Sequence, residues 1–190
     1  MNKAILLLCS PEECKKILNG DLSILVRKLK PKCDLPINVY IYCAKNGEYL
    51  TKGNKGNVYP SCCISNGIRE WHLNGKVVAK FWCDKVENIY VRKHSYCCEE
   101  FYYCTNTLEE DEICKKSRLD NQQLQEYLGD NLGYAIHITK LETFEKPKEL
   151  SEFRKVGFFD KRAKNRDLLP VWADNYKLTK APTRWCYVEV

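Results

Sequence analysis

Four basic side chains stand close together at Arg27, Lys28, Lys30 and Lys32. An arginine meets a phosphate with two parallel donors, while a lysine adds a mobile point charge. The cluster therefore suits contact with a nucleotide backbone. The same charges would also guard a solvated edge strand against aggregation. Upstream, Asn19 and Ser23 offer hydrogen bonds to a phosphate or base, or serve as caps and turns. Lys45 adds a further cation. Aromatic residues are plentiful, with 12 Tyr, 4 Trp and 6 Phe. Stacking faces beside basic groups are the working parts of single-stranded RNA recognition. Tyr42, Trp82 and Trp185 flank strand-like segments, and Arg184 directly precedes Trp185.

Cysteine and histidine raise two other chemistries. With 12 cysteines and His72, His94 and His137, a thiol and a base can meet, yet no local pattern selects one nucleophile. His137 alternates with Ile136 and Ile138 and is a candidate cleft acid or base; a structural hydrogen-bonding role is open to it too. Thiolate and imidazole suit zinc, and Cys62, Cys63, His94, Cys97, Cys98 and Cys104 are the ligand types for a structural site, with Cys114 as a further thiolate. The chain contains no C-x-x-C pair. No cofactor is expected from this pattern, and structural zinc is the alternative.

Composition limits the classes. A chain of 190 residues, 44% hydrophobic and 29% charged, suits one compact domain and not a disordered one. The formal charge of +6 permits a polyanionic partner. Residues 1–98 carry 16 basic and 8 acidic side chains, 99–150 carry 6 and 12, and 151–190 carry 9 and 5. If the two basic parts meet, they form a basic face with an acidic region elsewhere. The apolar run at 4–9 is too short for an export signal, and no run approaches a membrane span. The expectation is a cytoplasmic protein whose thiols are mostly reduced. Cys9, Cys14, Cys43, Cys83 and Cys186 then fill the core as small apolar groups.

The elements that must position these groups follow from periodicity and caps. Residues 4–9 predict a strand. Ser10, Pro11 and Glu13 then give a helix start with capping-box spacing, and Cys14, Ile17 and Leu18 share its apolar face. Asn19-Gly20 stops the helix. Residues 23–29 read as a strand or extended segment. Ile37–Cys43 is a strand with Ile37, Val39, Ile41 and Cys43 on one face. Residues 44–70 are turn-rich. Asn74-Gly75 turns into a strand at 76–82, where Val77, Ala79 and Phe81 alternate against Lys76, Val78 and Lys80. Residues 86–91 continue or pair with it. Asn121–Leu128 reads as a helix, 134–138 as a strand, 146–153 as a short helix after Pro147, and 185–190 as a strand. Residues 92–118 resist assignment, and 154–180 are basic and loop-rich. Short strands with two or three helices predict an α+β small β-barrel or curled sheet, flanked by short helices.

Several stretches together resemble the ASCH-domain family, small relatives of PUA-like RNA-binding domains. Ile17-Leu18-Asn19-Gly20, Arg27-Lys28 and Lys30-Pro31-Lys32 resemble its opening. Val39–Cys43, Asn74–Val78, Gly133–Ile138, 146–153 and Trp185–Val188 extend the likeness over most of the chain. It is nearest to the bacterial and phage branch. The resemblance implies one PUA-like domain over 1–190, a mixed and curled small barrel beside a cleft. Residues 46–70 and 92–118 would be insertions.

The family's loop-to-strand motif runs glycine, any, lysine, two any, glutamate, any, arginine. Gly20 and Arg27 match it, but Leu22 stands at the lysine position and Leu25 at the glutamate position. Some members resemble N4-acetylcytidine amidohydrolases, in which that lysine is catalytic. A leucine can neither move a proton nor polarise a carbonyl. The resemblance thus implies RNA as partner, with DNA or a protein as alternatives. Asn19, Ser23, Arg27, Lys28, Lys30, Lys32, Tyr42, Lys45, Arg184 and Trp185 would be the contact residues and His137 the acid or base. Two other readings stay open: a nucleoside- or RNA-processing hydrolase using a set such as Lys45, Lys80, Asp84 and His137, or a phage or mobile-element accessory module that binds protein.

Overall fold

The computed structural model describes residues 3–53, 56–61, 71–93, 101–129, 131–155 and 177–189. In chain order the elements are β1 (Lys3–Cys9), α1 (Pro11–Leu18), β2 (Ile24–Arg27), β3 (Ile37–Cys43), β4 (Leu50–Lys52), β5 (Val58–Pro60), β6 (Trp71–His72), β7 (Val77–Cys83) and β8 (Val86–Lys93). There follow β9 (Phe101–Cys104), α2 (Glu110–Ser117), α3 (Asn121–Leu128), β10 (Gly133–His137), β11 (Thr139–Lys148), a 3₁₀ turn at Leu150–Glu152, β12 (Arg154–Lys155) and β13 (Trp185–Glu189).

The strands form curled sheets around a common core. One sheet has the order β11-β7-β3-β1-β13-β12, with β1 and β3 parallel and the other pairs antiparallel. A second has the order β2-β10-β8-β9. Between them, Ile5, Leu7, Val39, Ile41 and Phe81 of the first meet Leu25 and Ile136 of the second, with Cys14 and Ile17 of α1. The opposite face of the first sheet buries Leu6, Tyr40, Tyr42, Phe153 and Val188. The α+β small barrel with short helices at its edge, expected for a PUA-like fold, is the architecture present.

Strand β2 lies between two cores. Leu22 and Leu25 pack into the barrel, whereas Ile24 and Val26 turn to Leu108, Ile113, Leu124 and Leu128, where α2 and α3 cover the second sheet. Alternation along one short strand thus joins the barrel to its helical cover.

Three local expectations change. The helix expected at 146–153 is half strand and half helical turn: β11 runs to Lys148, and Leu150–Glu152 forms a 3₁₀ turn. β11 is an edge strand, where Pro147 needs no ladder N–H. In β7, a register shift opposite Ile41 and Tyr42 leaves Val78 as an extra residue. Val78, Ala79 and Phe81 therefore enter the barrel core while Val77 faces the other way. Finally, the turn-rich stretch after Ala44 contains β4 and β5, which with β6 make a small antiparallel sheet.

Among the described residues Cys9, Cys14, Cys43, Cys83 and Cys104 are free and buried, and Cys33, Cys114 and Cys186 are free and half-buried. No helix among the described residues is long and apolar enough to cross a membrane.

Candidate nucleic-acid interface

The first site is built where β1 ends and α1 begins. Ser10 accepts the Glu13 backbone N–H at 3.1 Å, and Glu13 Oε2 accepts the Ser10 N–H at 3.0 Å, closing the capping box anticipated from their spacing. The other oxygen, Oε1, accepts from Arg27 Nη1 at 2.7 Å. Arg27 Nη1 also donates to its own neighbour's carbonyl, Val26 O, at 2.9 Å, and Nη2 lies 3.6 Å from Cys9 Sγ. Burial works against the Arg27 charge, but Cys9 and Glu13 more than offset it and raise its pKa. Arg27 is thus a bracket between the end of β2 and the start of α1.

Beside this bracket opens a cleft of about 580 Å³. Arg27, Lys28, Tyr127, Arg184 and Trp185 line it, with Glu13. Lys28 and Arg184 are exposed, and neither has a carboxylate partner among the described residues. Lys28 Nζ stands 5.3 Å from the centre of the Tyr127 ring, near enough for a cation–π contact. Trp185 is held edge-on against Tyr187, with ring centres 5.3 Å apart. Its pairing partner in the register is Leu7 of β1, so a strand and not a loop sets its position.

A second cleft, about 700 Å³, adjoins the first and shares Leu8 and Ala44 with it. Tyr42, Lys45, Ser151, Thr179 and Lys180 line it. Tyr42 is almost wholly core, at 1% exposure, so it offers no stacking face. Lys45 is exposed.

The sequence-derived residues therefore divide. Arg27, Lys28, Arg184 and Trp185 come together, and Tyr42 and Lys45 line the adjoining cleft. The others stand apart from both clefts. Asn19 is the C-cap of α1, and the Ser23 backbone joins α2 to the end of β10, taking the Ile138 N–H and donating to Lys116 O. Lys30 lies over the Tyr134 ring and at the rim of a small apolar cavity of about 110 Å³. The Lys32 carbonyl accepts the Tyr187 hydroxyl at 2.7 Å. His137 pairs with the buried Glu87 at 2.7 Å in the second sheet. Trp82 lies in β7 opposite Asn38 and lines neither cleft.

Two lining residues escaped the sequence reading. Tyr127 stands on α3 beside the buried Leu124 and Leu128, off the apolar stripe, and an aromatic there is the available clue. Glu13 was visible as a cap, but its reach to Arg27 depends on tertiary structure. The zinc ligand types Cys62, Cys63, His94, Cys97 and Cys98 lie outside the described residues, while Cys104 is buried in β9. Among the described residues, no group of three or more His, Cys, Asp or Glu is placed to hold a metal ion.

Comparison with known proteins adds a likeness of shape. The crystal structure of ASCH from Zymomonas mobilis is similar to this one, with a TM-score of 0.48 at 16% identity over 77% of this chain and 73% of that chain. A single-substitution mutant of the Zymomonas mobilis protein is similar too, with a TM-score of 0.46 at 12% identity over 77% of this chain and 76% of that chain. No protein-family model and no curated protein matches the chain.

Proposed function

We propose that this chain is a single PUA-like RNA-binding domain acting in the cytoplasm, with residues 46–70 and 92–118 as insertions. The first cleft holds RNA by its backbone and stacks a base. The carrying observation is the cleft wall itself: two exposed cations with no carboxylate partner among the described residues, Lys28 and Arg184, stand beside two aromatic rings, Tyr127 and Trp185. Cations track phosphates without regard to sequence, and a ring accepts any base. Lys45 and Lys180 in the adjoining cleft continue the positive lining. The exposed lysines supply charge, while Arg27, already paired with Glu13, contributes less than its place in the motif implies.

Titration with single-stranded RNA at two salt concentrations tests this reading. Each phosphate contact on a single strand contributes a slope of about −0.7 in log K against log salt. Replacing Lys28 and Arg184 together by alanine is expected to make the slope shallower by about 1.4 and to weaken binding at low salt at least tenfold. Failure of the wild-type chain to bind RNA even at low salt would reject the proposal.

Trp185 gives a separate prediction. Trp185→Ala is expected to weaken RNA binding by roughly 1–3 kcal/mol, the usual worth of one base stacked on an aromatic ring. Trp185→Phe keeps a π-face and should retain most of the affinity. If both variants fold and bind like the wild type, the ring is packing against Tyr187 and no more. Filter binding or fluorescence anisotropy, with circular dichroism to check folding, reads the difference.

A further inference from the structure

We infer that Glu13 is a built-in competitor for phosphate at Arg27, and that it sets how tightly the first cleft holds RNA. The inference rests on the RNA reading above and concerns how that site is controlled.

Three cations, Arg27, Lys28 and Arg184, line the first cleft together with the carboxylate of Glu13. That carboxylate is already where a phosphate oxygen would go. Its Oε1 takes the Arg27 Nη1 donor at 2.7 Å, and the pair is only partly exposed, at 15% for Arg27 and 32% for Glu13. A guanidinium uses the same donors for a carboxylate and for a phosphate. Phosphate approaching Arg27 must therefore displace Glu13 or sit beside a like charge in a poorly solvated wall. Lys28 and Arg184 carry no such competitor among the described residues.

The contact is also separable from the fold. Glu13 caps α1 through Oε2, which accepts the Ser10 N–H, and not through the oxygen that holds Arg27. Release of Arg27 can thus leave the cap in place. The consequence is selectivity. An isolated phosphate gains little by displacing Glu13. A polynucleotide already held at Lys28 and Arg184 presents its next phosphate at high local concentration, and so draws Arg27 away.

Glu13→Gln tests this, because an amide oxygen can still cap Ser10 while the competing charge is gone. With a uridylate RNA octamer as probe, the variant is expected to bind about tenfold more tightly than the wild type with little change in salt slope, since Arg27 meets a phosphate in both. In the Glu13→Gln/Arg27→Gln double variant that gain should vanish. A folded Glu13→Gln chain that binds the octamer no more tightly than the wild type would overturn the inference while leaving the RNA reading intact. If neither wild type nor variant binds, both fall. Binding by the variant alone would support the competition and show the wild-type cleft to be shut. Should the variant fail to fold, the wild-type Arg27 side-chain NMR signals decide. They must shift when the octamer binds, and stationary signals during binding would overturn the inference.

Discussion

Glu87→Gln is expected to remove up to roughly 3 kcal/mol of stability, and an acid-sensitive step with it. The Glu87 carboxylate is buried at 8% exposure and is fully partnered. Its Oε1 accepts from Thr105 at 3.1 Å and Thr107 at 2.7 Å, and its Oε2 takes Lys85 at 3.0 Å and His137 at 2.7 Å. Burial pushes its pKa up, but the hydrogen bonds from Thr107, Lys85, His137 and Thr105 outweigh that and hold it at about 2, against an ordinary 4.5. A carboxyl lowered on folding stabilises the native state above the unfolded pKa. That contribution is lost as the pH falls from about 4.5 through about 2. An amide cannot accept from all four donors. Urea unfolding at neutral pH should show the loss, and the wild-type and variant stabilities should converge as the pH is lowered through that window. Equal stability at neutral pH would mean that Glu87 holds none of these partners in solution.

This network explains His137 better than catalysis does. His137 belongs to β10 and Glu87 to β8, while Thr105 and Thr107 belong to the segment leading into α2. The two threonine contacts tie the segment leading into the helical cover to the second sheet, and the His137 contact links β10 to β8 within it. Sequence alone presented His137 as an imidazole alternating with isoleucines, because its partner is fifty residues away. The same limit hid the Glu13–Arg27 pair.

Local signals were legible where local physics decides. The capping box at Ser10 and Glu13 is a pattern within one turn, and α3 keeps the bounds that its apolar spacing implies. The strand at Ile37–Cys43 shows its alternation directly. What could not be read was anything set by a neighbour across the sheet. The extra residue at Val78 reverses the face of Val77, and nothing in the local sequence announces it. Pro147 looked like a helix start because a proline fits either a first turn or an edge strand, and only the strand order settles which. For the site, Lys28, Arg184 and Trp185 could be picked out as types, but their convergence depends on β13 pairing beside β1. Tyr127 arrives from a helix in a region where the sequence offered no motif.

The other large effect is expected at Leu25. The resemblance places a glutamate there and a lysine at position 22, yet both leucines are core, at 1% and 6% exposure. Leu25 pairs with Ile136 across the sheet and shares the barrel interior with Ile5, Leu7 and Val39. Leu25→Glu gives up a buried apolar side chain, worth about 1.5–3 kcal/mol, and puts in its place a carboxyl with no partner, at a further cost of several kcal/mol. The combined loss approaches the whole stability of a typical domain, about 5–15 kcal/mol. The variant is expected to lose cooperative unfolding. Leu25→Met, close in volume, should cost less than about 1.5 kcal/mol. Restoring both motif residues, as Leu22→Lys/Leu25→Glu, offers each charge a partner but still takes two ions out of water, so the pair should remain less stable than the leucines. A double variant as stable as the wild type would show that these positions face a wet cleft, and would return the hydrolase reading to contention. If it unfolds as expected, the motif's polar chemistry cannot be reinstated by two substitutions. The proposed binding then uses the rim, where Lys28, Tyr127, Arg184 and Trp185 stand.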